Sequence, residues 1–440
     1  MVNSYYRTIT LVVFAILLRE KGGATALSQT KHGKSVSNRD EIGLAVPRNR
    51  RDFLNSVAST TAAAIASTGG IATGSGAFME SAGASPSPLL ANAAIQPKTK
   101  LPPIGLGCWA WGDSLFWGYN PSQDKDLNEV FDYVVKQTTS PTGGSSNMPS
   151  SVLLDTAELY GLGRSESLIG DFSKNVPTET QEKITIATKF AALPFRTKPE
   201  NVVKAALGSQ KRLDPNRPID LYQIHFPNAF ANEAYWDGLA DAYHQGVVKN
   251  VGVSNYGVDA LRACYNHLAK RGVPLASNQI QYSLLYRYPE QNGLLQACND
   301  MNIQVLSYSP LALGLLTGKY RSEQSLKQIA GPRKKLFANT VDNPEFQRLL
   351  SVMENVASNH GESSNIAQVA INWCRAKGTI PIPGARNLRQ VQSNYAALSW
   401  DLSSKEISML DEAATYSYID PAASPFPRVD KDTGLIMFDS

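Results

Sequence analysis

The sequence contains little cysteine, and its cysteines form no recognisable metal or redox motif. Its 440 residues include four, Cys108, Cys264, Cys298 and Cys374, which fit neither a C-x-x-C pair nor the spacing of metal ligands. We therefore expect most of these thiols to be reduced packing residues, and the sequence predicts no metal site.

An excess of charge of one sign is missing from most of the chain. Residues 1–93 carry nine Lys and Arg against five Asp and Glu, whereas residues 94–440 carry 33 of each class. A neutral body without a basic tract lacks the electrostatic surface that binds nucleic acid. We therefore expect no nucleic-acid partner.

The hydrophobic run near the N-terminus is too short to span a bilayer comfortably. It covers the eleven residues Thr8–Leu18 between Arg7 and Arg19, whereas a membrane-spanning helix needs about 20. Small residues follow at Ala24-Thr25-Ala26, as at the cleavage site of a secretory signal peptide. We therefore expect this run to be removed, with no stable membrane span left after processing.

A second export signal follows in the same segment. Arg50-Arg51 precedes Phe53-Leu54 and a weakly apolar stretch, which resembles a twin-arginine signal with a cleavage site at Ala91-Asn92-Ala93. Signal peptide, basic spacer and twin-arginine segment in series predict a disordered targeting leader over residues 1–93. Its destination would be a plastid, either the stroma or the thylakoid lumen. The alternative is a low-complexity leader with a chance arginine pair.

Residues 94–440 alternate short apolar strands with amphipathic helices, a pattern typical of β/α units around a parallel sheet. Eight strands are predicted at Ile104–Gly107, Val152–Asp155, Ile184–Lys189, Asp220–His225, Val248–Ser254, Ser277–Tyr282, Gln304–Tyr308 and Thr379–Pro383. No G-x-G-x-x-G motif follows an early strand, so a doubly wound open sheet is disfavoured. The prediction is a single (β/α)8 TIM barrel over residues 94–440.

The segments between the strands predict helices and two insertions. Helices are predicted at Leu127–Gln137, Asn201–Arg212, Glu233–Gln245, Asp259–Lys270, Glu290–Asn299, Ile366–Ala376 and Leu388–Ala397. Loop insertions are predicted at Ser140–Ser151 and Lys319–Asn343.

Titratable side chains stand at the ends of three successive apolar strands. Asp155, Lys189 and His225 close the second, third and fourth strands, and Tyr160 follows Asp155 in the next loop. In a barrel the catalytic groups project from the carboxyl ends of strands. A free tyrosine has a pKa of about 10, and a neighbouring ammonium would lower it, so Tyr160 beside Lys189 could donate a proton. Asp155 would orient Lys189, and His225 would fix a substrate oxygen or relay a proton.

Each of these residues also has an ordinary interpretation. Lys189 could be a charge that solvates a strand end, His225 a satisfied core histidine, and Tyr160 an amphipathic loop residue. The occurrence of all of them at successive strand ends favours a shared catalytic role.

Motifs along the body together resemble the aldo-keto reductase superfamily from about Ile104 to Leu410. The matching segments are Ile104-Gly105-Leu106-Gly107, Asp155 to Gly161, Ala187-Thr188-Lys189, Tyr222 to His225, Gly252 to Asn255, Asn278-Gln279, Tyr308 to Leu311 and Ile382 to Asn387. The resemblance implies reduction of an aldehyde or ketone, a small-molecule carbonyl substrate, with hydride from NADPH and a proton from Tyr160. The implied catalytic residues are Asp155, Tyr160, Lys189 and His225.

The resemblance also implies a set of residues that bind NADP(H). They are Gly107, Trp109, Asp155, Ser254, Asn255, Gln279, Tyr308, Ser309, Leu311, Gly384, Arg386, Gln390 and Asn394. At Gly384 a strand-to-helix junction exposes backbone N–H groups to a phosphate. Arg386 could then contact the ribose 2′-phosphate and favour NADP over NAD; the alternative is a surface cation without a partner.

Two functions are compatible with these residues. The first is an NADP-dependent reductase, with pyridoxal-type or lipid-peroxidation aldehydes as plausible substrates. The second is a cofactor-binding redox-sensing or regulatory subunit on the same fold, with little turnover. An aromatic set near the strand ends fits an apolar or aromatic carbonyl compound, or is packing: Trp109, Trp111, Phe116, Trp117, Phe195 and Phe226.

Overall fold

Eight short apolar segments form one parallel sheet in chain order, and together they make the predicted (β/α)8 barrel. The computed structural model describes residues 101–114, 116–138, 150–193, 195–228, 231–329, 332–415, 428–429 and 436–437. The strands are β1 Gly105–Gly107, β2 Val152–Asp155, β3 Ile184–Phe190, β4 Leu221–Ile224, β5 Val251–Ser254, β6 Leu275–Gln281, β7 Gln304–Tyr308 and β8 Ile380–Pro381. Each overlaps a predicted strand. The predicted leader over residues 1–93 and residues 140–149 of the first predicted insertion lie outside the described residues.

The first and last strands meet and close the barrel. Gly107 of β1 donates its backbone N–H to the carbonyl of Pro383 at 3.1 Å, and it pairs in parallel with Gly384 just beyond β8. A Cβ on Gly107 would lie 2.7 Å from the carbonyl oxygen of Ile382. Glycine is therefore required for the two strands to come this close.

Helices follow most strands and cover the outside of the sheet. They are α1 Asp124–Lys136, α2 Arg164–Ser173, α3 Thr178–Gln181, α4 Pro199–Leu213, α5 Asn232–His244, α6 Val258–Lys270, α7 Tyr288–Gln291, α8 Leu294–Asp300, α9 Pro332–Val341, α10 Pro344–Ser358, α11 Ile366–Ala376, α12 Leu388–Ala396 and α13 Ser404–Thr415. Within the described segments, no helix combines the length and apolarity needed to cross a membrane. A separate antiparallel pair joins β9 Arg428–Val429 to β10 Ile436–Met437.

Two sequence predictions of local structure need correction. The single helix predicted at Glu290–Asn299 is two helices, because Gly293 adopts a left-handed conformation with φ of 78° between α7 and α8. The loop predicted at Lys319–Asn343 contains α9 and a 3₁₀ turn at Glu323–Gln328.

Alternation along the strands divides the buried residues into two sets. Side chains that point outward pack under the helices as the larger core. A small apolar cluster lies apart from it and contains Leu101, Leu153, Ala187, Leu221, Ala276, Leu306 and Ile382. Because side chains alternate with a period of two, Asp155 and Lys189 lie on the same face as Leu153 and Ala187, one step nearer the carboxyl ends. The cluster therefore forms an apolar floor beneath the polar residues of the barrel mouth.

Candidate active site

Lys189 lies at the centre of the polar residues in the barrel mouth. Its ammonium donates to Asp155 Oδ2 at 2.7 Å, to the backbone carbonyl of Thr156 at 2.8 Å and to the Tyr160 hydroxyl at 3.3 Å. One charged group thus contacts both the predicted orienting carboxylate and the predicted proton donor.

The Lys189–Asp155 ion pair is almost completely removed from solvent. The exposed fractions of the two side chains are 0% and 3%. Burial lowers the pKa of Lys189, and the charge of Asp155 opposes this change. The other oxygen of Asp155 accepts a hydrogen bond from Gln279 Nε2 at 2.7 Å, so the carboxylate is held on both sides.

Strand register explains why Asp155 and Lys189 meet. Asp155, the last residue of β2, pairs with Ala187 of β3, and Lys189 lies two residues further along the same face. Tyr160 is brought back over them by a 3₁₀ turn, Tyr160–Gly163, in which Gly161 has a φ of 56°. A Cβ on Gly161 would lie 2.4 Å from the carbonyl oxygen of Gly112, so this turn packs directly on the backbone of the loop after β1.

His225 follows β4 and faces the same space. Its ring lies 5.8 Å from that of Tyr160 and stacks on Phe226 at 4.4 Å between centroids. Burial, and then the charge of Lys189, lower the pKa of His225 well below its usual value. The imidazole is therefore neutral at neutral pH and can hydrogen-bond a carbonyl oxygen without adding charge.

The four residues predicted to hold a nicotinamide form a connected group beside Asp155. Ser254 Oγ donates to the carbonyl of Gln279 at 2.8 Å, and Asn255 Nδ2 donates to Ser254 Oγ at 3.1 Å. The Tyr308 hydroxyl donates to Asn255 Oδ1 at 2.9 Å. Because Gln279 Nε2 is already bound to Asp155, this side chain links the group to the buried ion pair.

Ser309 and Leu311 follow β7 at the same end of the barrel. Ser309 has a φ of 51°, and Leu311 directly precedes a 3₁₀ turn at Ala312–Thr317. Both lie in the loop that leaves Tyr308.

The residues predicted to bind the adenine end lie where the chain leaves β8 beside β1. Gly384 pairs with Gly107, and Asn394 Nδ2 donates to the carbonyl of Gly384 at 3.3 Å. Gln390 Oε1 accepts from the backbone N–H of Arg386 at 2.8 Å. Asn394 and Gln390 thus support the backbone of this segment, and the Arg386 guanidinium donates to the backbone carbonyl of Trp117 at 3.2 Å.

The aromatic residues predicted near the strand ends do not all have the same role. Trp109 stacks on Phe116 at 4.8 Å and lies 6.3 Å from the Tyr160 ring. Trp111, by contrast, is 0% exposed and donates its indole N–H to the carbonyl of Ala385 at 3.0 Å. Trp111 therefore belongs to the core and not to a pocket.

Two groups of supporting residues were not predicted. Asp113 accepts hydrogen bonds from Trp109 Nε1 at 2.9 Å and from the backbone N–H of Phe116 at 2.9 Å, and so holds both aromatic residues. Glu158, two residues before Tyr160, forms an ion pair with Arg196 at 2.6 Å. Glu158 lies inside the recognised segment Asp155–Gly161, whereas no local sequence signal indicates Arg196.

Comparison with known proteins identifies the family. The model of the Aldo/keto reductase family matches residues 103–415, which include both ends of the barrel and every residue of the site. The chain belongs to the aldo/keto reductase family. It is thus a member of an oxidoreductase family that acts on carbonyl groups, as its motifs indicated.

Similar proteins occur in plants, fungi and bacteria. The chain is 39% identical over 325 residues to a chloroplastic pyridoxal reductase of Arabidopsis thaliana, covering 72% of this chain and 84% of that protein. It is 27% identical to the Schizosaccharomyces pombe aldo-keto reductase yakc [NADP(+)], covering 74% and 92%. A solved structure of a thermostable aldo-keto reductase bound to the inhibitor epalrestat has 25% identity and a TM-score of 0.55, covering 74% of this chain and 100% of that one.

Proposed function

We propose that this protein reduces an aldehyde or ketone to an alcohol with NADPH, and that Tyr160 supplies the proton. The observation that carries the proposal is the position of the Lys189 ammonium, 2.7 Å from Asp155 and 3.3 Å from the Tyr160 hydroxyl. A cation in this position stabilises the phenolate that remains when the hydroxyl gives up its proton.

In the proposed mechanism, NADPH held at the barrel mouth would supply the hydride for the carbonyl carbon. Tyr160 transfers its hydroxyl proton to the carbonyl oxygen, so that hydride and proton together give the alcohol. Lys189 holds the resulting phenolate, and Asp155 keeps Lys189 charged and oriented. His225, which is neutral, donates a hydrogen bond that positions the carbonyl oxygen.

The proposed cofactor NADP(H) fits two parts of the barrel mouth. Ser254, Asn255 and Gln279 present amide and hydroxyl groups near the ion pair, where they would bind a carboxamide, and Tyr308 would stack on the nicotinamide ring. At the other end, Arg386 makes no ion pair among the described residues and stands before α12, whose first backbone N–H groups favour an anion. The NADP(+) in the name of the yeast relative supports the same cofactor.

A planar aromatic aldehyde is the proposed substrate class. Trp109, which stacks on Phe116, lies 6.3 Å from the Tyr160 ring, and Phe226 stacks against His225. These rings would stack on a planar substrate whose carbonyl reaches Tyr160 and His225. The relation to a pyridoxal reductase makes pyridoxal-type aldehydes the first candidates.

We also propose that residues 1–93 are a leader and that residues 94–440 form the mature enzyme in a plastid. The chloroplastic relative supports this destination. Because reduction consumes NADPH, the proposal requires a compartment in which NADPH is regenerated. Import of the full-length chain into isolated plastids, followed by sequencing of its new N-terminus, tests the boundary.

The test of the proposed reaction uses residues 94–440 and follows NADPH consumption with aromatic, aliphatic and pyridoxal-like aldehydes. Tyr160→Phe is expected to lower kcat by at least about 100-fold while NADPH still binds. Tyr265→Phe, at a half-buried tyrosine of α6, is the matched control and should retain kcat. If the parent binds NADPH but reduces none of these aldehydes, the reductase proposal fails in favour of the redox-sensing alternative.

A further inference from the structure

An ion pair joins the two loops that adjoin the proposed proton donor and its lysine. Glu158 lies in the loop after β2, two residues before Tyr160, and Arg196 lies in the loop after β3, seven residues beyond Lys189. Arg196 Nη1 donates to Glu158 Oε1 at 2.6 Å, and Nη2 donates to Oε2 at 3.2 Å. The exposed fractions of the two side chains are 18% for Arg196 and 13% for Glu158, so solvent screens this pair less than a surface pair.

Glu158 extends the pairing of β2 with β3 beyond the last residue of β2. Thr156 donates its backbone N–H to the carbonyl of Ala187 at 2.8 Å, and Glu158 donates to the carbonyl of Lys189 at 3.3 Å. In a regular parallel ladder the N–H of Ala191 would bind the backbone carbonyl of Glu158. It binds the side-chain oxygen Oε1 of Glu158 instead, at 2.5 Å. The chain can therefore turn away after Glu158 without leaving the Ala191 donor unsatisfied.

Arg196 holds the other side of this junction. Its Nη1 also donates to the carbonyl of Ala191 at 3.2 Å, and its guanidinium carbon lies 4.8 Å from the ring centroid of Phe190. Phe190 is fully buried, so the guanidinium packs on a ring that is itself fixed in the core. Together, the two members of the pair contact the carbonyl of Lys189 and both residues that directly follow Lys189.

We propose that Glu158, held by Arg196, is a positioning residue for the proton transfer from Tyr160. Its contacts fix the place at which the loop after β2 leaves the end of β3, and from that loop Tyr160 reaches the Lys189 ammonium, 3.3 Å away. The inference rests on the proposed role of Tyr160 as proton donor, and Glu158 acts through Tyr160 and Lys189 rather than on the substrate. Without Glu158, the hydroxyl would move away from the ammonium that stabilises its phenolate.

Removal of Glu158 distinguishes positioning from a direct effect of its charge. If Glu158 acted only through its negative charge, its removal would favour the phenolate and lower the pKa of Tyr160, and loss of the pairing with Arg196 would act in the same direction. If Glu158 positions the loop, the hydroxyl moves away from Lys189, and the pKa of Tyr160 rises toward the value of about 10 of a free tyrosine. The two roles thus predict shifts of opposite sign.

The test measures the pKa of Tyr160 in the parent and in Glu158→Ala by two methods. The first is the pH dependence of kcat, which falls above the pKa of the proton donor. The second is ultraviolet difference spectroscopy of the phenolate against the matching protein with Tyr160→Phe, which needs no turnover. We expect both methods to show a rise of about one pH unit or more, and kcat to fall about 10- to 100-fold.

Two further measurements separate this effect from a general loss of structure. NADPH binding should weaken less than about twofold, because the residues expected to hold the nicotinamide lie on or after β5, β6 and β7. Glu290→Ala is the matched control, since Glu290 pairs with Arg287 at 2.7 Å and the two side chains are 20% and 16% exposed. The control should lower the melting temperature without shifting the pKa of Tyr160.

An unchanged or lowered pKa of Tyr160 in Glu158→Ala would overturn the inference, and with a lower melting temperature it would make the pair a structural contact only. If Glu158→Ala fails to fold, Glu158→Gln takes its place, because it keeps an acceptor for the Ala191 N–H and loses the charge. A smaller rise is expected there, and an unchanged or lowered pKa again overturns the inference. Failure of the parent to reduce any aldehyde contradicts the proposed function instead, and the difference spectra then still decide whether Glu158 positions Tyr160.

Discussion

A lysine without exposed surface can stay charged only if nearby groups replace its lost hydration. Lys189 has three oxygen acceptors within 3.3 Å, one on each of Asp155, Thr156 and Tyr160. The first is the carboxylate of its counter-ion, and the second is a neutral backbone carbonyl. The third is the hydroxyl of the proposed proton donor, so the same contacts that keep the ammonium charged also direct it at the reacting group.

Replacing Lys189 is therefore expected to lower both stability and turnover, for two different reasons. Lys189→Met leaves Asp155 buried without its counter-ion, which is expected to lower the free energy of unfolding by about 3–5 kcal/mol and kcat by about 100-fold or more. Adding Asp155→Asn removes the unpaired charge, so urea denaturation should show recovered stability while steady-state assays show no recovered turnover. Lys174→Met, at a pair whose side chains are 73% and 54% exposed, should change stability by less than about 1 kcal/mol. Recovery of kcat in the double variant would contradict the role proposed for Lys189.

The environment of His225 predicts a pH dependence of stability. In the folded protein the pKa of His225 is lowered by burial and by Lys189, whereas in the unfolded chain histidine has a pKa of about 6.5. Above about pH 6.5 His225 is neutral in both the folded and the unfolded chain, so it adds no pH dependence to the free energy of unfolding. Below it the unfolded chain binds the proton first, so stability falls with pH by up to about 1.4 kcal/mol per unit.

The measurement is urea denaturation of the parent and of His225→Gln at several pH values between 7.5 and 5. The other histidines remain in both proteins, so the difference between the two slopes isolates His225. We expect the parent to lose stability faster than the variant as the pH falls. Parallel slopes would show that His225 titrates normally in the folded state.

At the scale of elements, the turn that carries Tyr160 depends on a contact between two backbones. Gly161 has a left-handed φ of 56°. A Cβ added at this position would lie 2.4 Å from the carbonyl oxygen of Gly112. Gly161→Ala is expected to shift Tyr160 away from Lys189, and so to lower kcat more than it weakens NADPH binding. Gly246→Ala is the matched control, since Gly246 has a φ of 72° but nothing within 4 Å of its Cβ position. The control should cost about 1–2 kcal/mol of stability and leave kcat unchanged.

The strands and helices also show how much of the fold could be predicted from the sequence. Strands and the residues at their ends were predictable, because an apolar run closed by Asp155, Lys189 or His225 is a local pattern. Helix α2 was not predicted, because it begins directly after a turn that contains Gly161 and Gly163 and because its sequence carries few apolar residues. Helix α10 was also not predicted, although Asn343 caps its N-terminus. The Asn343 side chain accepts hydrogen bonds from the two backbone N–H groups that follow Pro344. The ion pair of Glu158 with Arg196 joins distant segments, and so do the contacts of Arg333 of α9 and Arg386 with the Trp117 ring. No local pattern encodes these contacts.

At the scale of the whole molecule, the proposed cofactor would join the parts of the barrel that are most distant in sequence. In this proposal the loop after β1 would contribute Trp109, the end of β7 would contribute Tyr308, and the segment after β8 would contribute Arg386. These loops lie on both sides of the seam where Gly107 of β1 meets Gly384. A ligand that binds all of them only in the folded state stabilises the closed barrel by mass action.

Thermal unfolding of residues 94–440 tests this coupling. At a concentration of 100 times its dissociation constant, NADPH should stabilise the protein by about 2.7 kcal/mol, which corresponds to a rise of several degrees in Tm. NADH at the same concentration should raise Tm less, because it lacks the phosphate that Arg386 would bind across the seam. The difference between the two cofactors should become smaller in Arg386→Met, since that variant keeps the nicotinamide end and loses the guanidinium contact to the phosphate. Equal shifts for NADPH and NADH in the parent would mean that the adenine end does not discriminate between them, and the NADP preference would then have to be abandoned.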